Sequence, residues 1–455
     1  MVKHSWRSTA VAIAVVASTV LAGSPAGAGT AAVQPVAVPS VSGPLPGTAP
    51  GDPKSPDLAD TYPFFATPDD LAARGYIEQE FLISGRADGW DTSGVRVATG
   101  VPYTTRIVVR RPARAARFNG TALVEWQNVT AGYDLDALWN ADTVTRAGYA
   151  WIGVSAQRVG VDQLRGWSPA RYGSLDVTGA GAYLGDELSY DIFAQAARAL
   201  TATRKPLGGL KARTLLAIGA SQSAARMTVY YDRVLPQVEP VFDGYGFIVG
   251  SAPVRRGPEP VFQVLSETDV RSPVRPPDTD RFRRWEVAGA AHSGHAGQVY
   301  RQPIQERDLG AAPVYDCAQP PFSRVPLHHV VAASYAHLDR WVRRGTPPPA
   351  AEPLVVNADG TKQRDELGLA RGGIRLSQVA APIALNSGDN SGESFCRLFG
   401  THVPFDQAVL DELYRSHAAY VGRVVHADLR NVRAGYLLPA DAARNLRDAV
   451  TAPVP

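Results

Sequence analysis

Between Thr214 and Met227 the sequence passes from an apolar run into Gly219-Ala-Ser221-Gln-Ser223 and then into a helix-forming segment. Few local patterns restrict a fold as much. A serine held where a strand reverses sharply into a helix leaves almost no room two positions before and two positions after it, so both neighbours must be small. Gly219 and Ser223 meet that demand. Such a turn lifts the Ser221 hydroxyl clear of the backbone. It also sets the Gln222 N–H at a helix N-terminus, where developing negative charge is stabilised. A serine there can equally be an ordinary helix cap, and the residues downstream decide between the two.

From Asn119 onward, short buried-type strands alternate with helices. Strands are expected at Thr121–Trp126, Tyr149–Ser155, Thr214–Ile218, Phe242–Val249, Pro260–Leu265 and Arg284–Ala288, with helices at Leu135–Ala147, Ser189–Leu200 and Ser223–Val234. Apolar strands separated by helices imply an α/β fold with a doubly wound, mainly parallel sheet. Ligands in such sheets bind at the carboxyl ends of the strands. Ile77–Arg86 and Thr104–Arg110 read as an antiparallel or edge region before that core. After it come an amphipathic helix over His328–Arg344, a β-rich excursion over Leu354–Leu385, and closing helices over Gln407–Leu429 and Ala440–Val450.

A serine nucleophile needs a base and an acid that orients it, in the chain order Ser, Asp/Glu, His on this fold. Two strands after the elbow supply them. The first ends Ser266-Glu267-Thr268-Asp269, the second Gly289-Ala-Ala-His292. His292 is the expected base, with His295 ranked second. The acid is Asp269 or Glu267, with Asp269 favoured by turn spacing. The second oxyanion donor is expected from the loop after Thr121–Trp126, from a backbone N–H near Asn128 or Val129. Asn128-Val-Thr130 also matches a glycosylation acceptor, which the loop's expected burial disfavours. A zinc reading of His292-x-x-His295 lacks a third ligand, so no metal site is expected there. Tyr133, Trp139, Trp167, Tyr172 and Tyr183 are candidates for an aromatic cleft.

The chain has 455 residues, 20% of them charged, and a net charge of +3. A balance so close to neutral, with scattered arginines, gives no reason to expect a nucleic-acid partner. Lys3 and Arg7 precede an apolar stretch from Ala10 to Ala22, and Ala26-Gly27-Ala28 fits a signal-peptidase site. Residues 1–28 are therefore read as a signal peptide cleaved near Ala28, 29–58 as a disordered Pro/Ala-rich linker, and 59–455 as the enzyme domain. Residues 300–455 would carry an insertion or cap and the C-terminal helices. No later run is long and apolar enough to cross a bilayer, so the mature chain is expected outside the cell without a membrane span. In that oxidising setting Cys317 and Cys396, 79 positions apart, are expected to pair. The segment from about Thr346 to Cys396 would then cover the pocket mouth.

The sequence resembles the exported proteins described only as containing an alpha/beta hydrolase domain. The resemblance rests on Val124-Glu-Trp-Gln-Asn-Val-Thr130, Tyr149-Ala-Trp-Ile-Gly-Val-Ser-Ala-Gln-Arg158, Arg171-Tyr-Gly-Ser174, Ser189-Tyr-Asp-Ile-Phe193, Ile218-Gly-Ala-Ser-Gln-Ser223, Ser266-Glu-Thr-Asp269 and Trp285-Glu-Val-Ala-Gly-Ala-Ala-His292. It implies the α/β-hydrolase fold, Ser221, His292 and a carboxylate at Asp269 or Glu267 as a triad, hydrolysis of esters and no cofactor. Ser223 departs from the commoner glycine. The expected substrate is a small-molecule or polymer ester. The alternatives are an acyltransferase using the same residues and a non-catalytic binding protein on the same scaffold. Oligomeric state and the identity of the ester are not encoded in any motif found.

Overall fold

The computed structural model describes residues 33–454. The expected signal peptide lies outside the described residues. A nine-stranded sheet dominates: β1 (Ser40–Ser42), β2 (Tyr76–Trp90), β3 (Arg96–Pro112), β4 (Thr121–Trp126), β5 (Ala150–Val154), β6 (Thr214–Ala220), β7 (Gly244–Ile248), β8 (Val261–Ser266) and β9 (Phe282–Val287). Their spatial order is β1-β2-β3-β5-β4-β6-β7-β8-β9. β1, β2 and β3 join antiparallel, as does β3 to β5, and every pairing from β5 onward is parallel.

Every residue of β4 through β8 is buried. Successive side chains point to opposite faces, and both faces are covered, so these strands read as continuous apolar runs. Along β6, Leu215 and Ala217 join one core with Trp126, Phe193 and Tyr230. Leu216 and Ile218 join the other with Trp285, Leu338 and Trp341. The Leu327–Arg344 helix covers this second face, and Gly345 ends it in a left-handed conformation (φ 67°).

Three expectations are corrected here. The segment 29–58 is not a free linker where it is described. Val41 pairs with Ile83 on the sheet edge, and Val36 is buried. Its Pro-rich backbone has few donors, but one of its carbonyls accepts from an ionic cluster: Arg171 donates to Pro46 O (2.7 Å), while both Arg171 (2.5 Å) and Arg106 (3.0 Å) bind Glu80. The expected Leu135–Ala147 helix begins only at Ala141. Leu135 is held extended by an antiparallel pairing with Asn128 (Leu135 N to Asn128 O, 2.9 Å), the Leu138 N–H is anchored to the Glu125 carboxyl (3.1 Å), and the Asn140 side chain caps the helix start at Thr143 N (2.9 Å). The excursion over Leu354–Leu385 is held largely by isolated pairings such as Leu354 with Gly372 and Val356 with Lys362. Its regular part is β10 (Ala384–Ser387), antiparallel to β11 (Thr401–Pro404).

A helix over His295–Leu309 follows the last large strand and was not evident in the sequence. Its buried residues are Ile304, Gln305 and Asp308, two of the three polar, so it carries no apolar period.

Cys317 and Cys396 form a disulfide closing a separation of 79 residues. Chain-entropy arithmetic for a loop of that size gives about 4 kcal/mol of stabilisation. The Cys317→Ala/Cys396→Ala double variant is therefore expected to lose about that much in urea unfolding. A loss below about 1 kcal/mol would show that other contacts already hold the loop closed.

Candidate active site

The turn after β6 has the geometry its sequence requires. Ser221 adopts φ 56° and ψ −116°, a region that non-glycine residues rarely occupy, and begins the Gln222–Val229 helix. Strain of this kind persists only where surrounding contacts over-determine it. The Ser221 N–H donates to Ile248 O (3.0 Å) at the end of β7. A Cβ at Gly219 would lie 3.1 Å from Ala224 N, and one at Gly250 would lie 2.7 Å from Ala224 Cβ and 3.0 Å from Ser221 O. Gly250 is thus a second close-approach position, outside the elbow motif. Ser223 is tolerated where glycine is usual because it is small and its hydroxyl is satisfied. Its Oγ accepts from Ala220 N (3.0 Å) and donates to Ala220 O (2.9 Å).

The turns after β8 and β9 lie against each other. His292 Nδ1 is 2.7 Å from Asp269 Oδ1, and Asp269 Oδ2 accepts from Ser266 Oγ at 2.5 Å. The His292 backbone N–H donates to Thr268 Oγ1 (3.2 Å), which in turn donates to Gly388 O (2.6 Å). Glu267 points elsewhere. It accepts from Gly289 N (2.6 Å), Arg364 Nη2 (2.9 Å) and Ser387 Oγ (3.2 Å), and it is fully buried. The carboxylate that meets the imidazole is therefore Asp269. Glu267 instead ties the β8 and β9 turns to the chain around Arg364 and Ser387.

Ser221 and His292 line one cavity of about 650 Å³. No hydrogen bond between Ser221 Oγ and the His292 ring is present among the described residues; contacts of this type often tighten only when substrate fills the site. His295 also lines the cavity, and burial and the charge of Arg324 hold its pKa below the ordinary imidazole value. Among the described residues no His/Cys/Asp/Glu group has metal-binding geometry.

The sequence matches the alpha/beta hydrolase domain over residues 41–447. The chain belongs to the alpha/beta hydrolase family. Solved structures similar to this chain include oligopeptidase B from Trypanosoma brucei with covalently bound antipain (13% identity, TM-score 0.30, covering 53% of this chain and 38% of that one). Another is the rice cell wall degrading esterase LipA from Xanthomonas oryzae (15%, 0.24, 40% and 47%). A third is a methylesterase (13%, 0.26, 52% and 47%). The match spans less than half the length of each of those chains. Among curated proteins, no relative matches the sequence.

In this chain the loop after β4 reaches the elbow through side chains. Asn128 Nδ2 donates to Ala220 O (2.9 Å), and the residue is buried, so it is not presented for glycosylation. The Asn128 backbone N–H is occupied by Leu135 O (3.3 Å). Asn128 and Leu135 exchange both backbone hydrogen bonds, whereas the Val129 N–H donates to a side-chain oxygen, Gln222 Oε1 (3.4 Å), so of the two expected oxyanion donors Val129 needs only a side-chain movement to be released. Gln222 Nε2 donates to Gln157 Oε1 (3.1 Å), which fixes the amide over the turn. The Gln222 backbone N–H, first in its helix, has no intrahelical acceptor.

Of the aromatic candidates, Tyr133 and Trp139 line the cavity. Trp167 and Tyr172 pack in the core instead, and Tyr183 packs against it. The C-terminal part adds Val314, Tyr315, Phe395 and Leu398 to the wall. The disulfide joins the two segments that carry these residues.

Proposed function

We propose that this hydrolase is an exported serine hydrolase of carboxylic esters, with Ser221 as nucleophile, His292 as general base and Asp269 as the acid that orients it. The observation that carries this reading is the 2.7 Å contact between His292 Nδ1 and Asp269 Oδ1, beside a cavity that Ser221 also lines. With Nδ1–H donating to the carboxylate, the ring holds its lone pair on Nε2, where it can accept the serine proton. Ser221 Oγ then adds to the acyl carbonyl, and the carbonyl oxygen becomes an oxyanion. The backbone N–H of Gln222 and that of Val129 are its donors, each worth about 3 kcal/mol of barrier. Collapse of the tetrahedral adduct expels the alcohol, which takes the proton from His292. Water enters, gives its proton to His292 and releases the acid, restoring Ser221.

Strain at Ser221 supports the same reading, because sparsely populated backbone conformations gather at catalytic turns. Export is supported by the leader-like N-terminus and by the Cys317–Cys396 bond, since disulfides persist in oxidising compartments.

Fluorophosphonate labelling tests the reading directly. The folded protein is expected to gain one phosphonyl group, mapped by peptide mass spectrometry to Ser221, with parallel loss of p-nitrophenyl butyrate hydrolysis. An unlabelled folded protein would mean that no activated serine is present.

A further inference from the structure

We propose that the ester cleaved by this enzyme carries an anionic group, a carboxylate in the simplest case, which pairs with the Arg301 guanidinium inside the same cavity. This rests on the assignment of Ser221 as nucleophile given above.

Arg301 lies in the His295–Leu309 helix, which begins three residues after His292. The first turn, His295 to Gln298, lines the cavity, and so does the face that continues from it through Arg301 and Gln305. The guanidinium makes a single hydrogen bond, from Nη2 to Ser293 Oγ at 2.7 Å. A guanidinium has five N–H donors in a planar fork. Among the described residues, no carboxylate lies within 4.0 Å of it. The fully buried arginines are treated differently: Arg106, Arg110 and Arg171 each meet a carboxylate at 2.5–3.0 Å, whereas Arg301 is half-buried at the cavity wall. Asp136, whose field reaches Arg301, is spent on Arg110 Nη1 (2.6 Å) and Tyr300 Oη (2.6 Å).

The surroundings fit an anion. The cavity wall contains Arg301, Arg324 and Arg444 but only one acidic residue, Asp448. Arg444 already pairs with Asp142, which leaves the positive charge with Arg301 and Arg324. Tyr133 Oη accepts from Gln305 Nε2 (2.8 Å), so its own proton is free for a second acceptor. Gly297 opens space for the fork: a Cβ there would sit 3.0 Å from Arg301 Nη1. Burial holds the Arg301 pKa below its ordinary value, the sign of a cation lacking a counter-charge. A planar carboxylate supplies that charge through two parallel hydrogen bonds.

The test compares mono-p-nitrophenyl adipate with p-nitrophenyl hexanoate, which differ at the distal end by a carboxylate. The wild-type enzyme is expected to favour the adipate by about 10-fold or more in kcat/KM, a preference that falls in 0.5 M NaCl. Arg301→Gln is expected to lose about 30-fold more on the adipate than on the hexanoate, and Arg301→Lys to recover part of it. Equal losses on both esters would overturn the proposal and make Arg301 a positioning residue for His292 through Ser293. No preference in the wild type would overturn it too. Calorimetry separates this from failure of the catalytic assignment. Ser221→Ala is expected to bind monomethyl adipate, and Ser221→Ala/Arg301→Gln to lose that binding, whatever the rate of ester turnover. Equal binding by both variants overturns the proposal.

Discussion

Ser221→Ala is expected to lower kcat on p-nitrophenyl butyrate by about 10⁴-fold or more, with little change in thermal stability. The alkoxide equivalent disappears, while the donors that would hold the oxyanion remain, so a residual rate above that of water is expected. Stability should hold, or rise slightly, because alanine keeps the small volume that Gly219 and Gly250 require around the turn. The backbone strain at φ 56° is unchanged by the substitution. Steady-state kinetics with a parallel melting curve reads both effects. Hydrolysis within about 10-fold of the wild type would remove Ser221 from the reaction, because some other group would then be supplying the nucleophile.

The second large effect separates two neighbouring carboxylates. Asp269→Asn is expected to reduce kcat by about 10⁴-fold. An amide at this position can donate to His292 Nδ1 instead of accepting from it, which puts the ring proton on Nε2, where Ser221 needs a lone pair. Glu267→Gln should act differently. Its carboxylate accepts from Gly289 N, Arg364 Nη2 and Ser387 Oγ in a fully buried setting. Removing the charge weakens the Arg364 contact, but Arg364 is partly exposed and keeps Asp389 (2.5 Å), so a stability loss of about 1–2 kcal/mol is expected. The loss in kcat should be far smaller than for Asp269→Asn. If the two variants exchanged these signatures, the assignment of the acid would be reversed. Melting curves and kcat on the same preparations distinguish the outcomes.

The different treatment of Glu267 and Asp269 illustrates what a linear sequence conveys. Both residues stand just past the end of β8, two positions apart, and turn spacing alone left both available. The choice follows from Arg364, 97 residues further along, which captures Glu267. The loop after β4 behaves in the same way. Asn128 and Val129 were equivalent as amides until Leu135 folded back and occupied the first of them. Arg301 carried no signal, because its helix has a mostly polar buried face and therefore no apolar period. The edge strand β1 was hidden in a Pro-rich stretch that reads as linker by composition; pairing with β2 and the Arg171 hydrogen bond to Pro46 O gave it order.

Contiguous residues by themselves determined the strand–helix alternation, the elbow at Ser221 and the chain order of serine, carboxylate and histidine. Those features arise from sterics and periodicity within a few residues, where each side chain constrains its own backbone. Tertiary structure alone decided which carboxylate faces His292, which amide near the elbow is tied into a backbone pair and that Arg301 enters the cavity without a counter-ion. Each of these depends on what a distant segment has already bonded, and a buried polar group keeps one partner at the expense of all others.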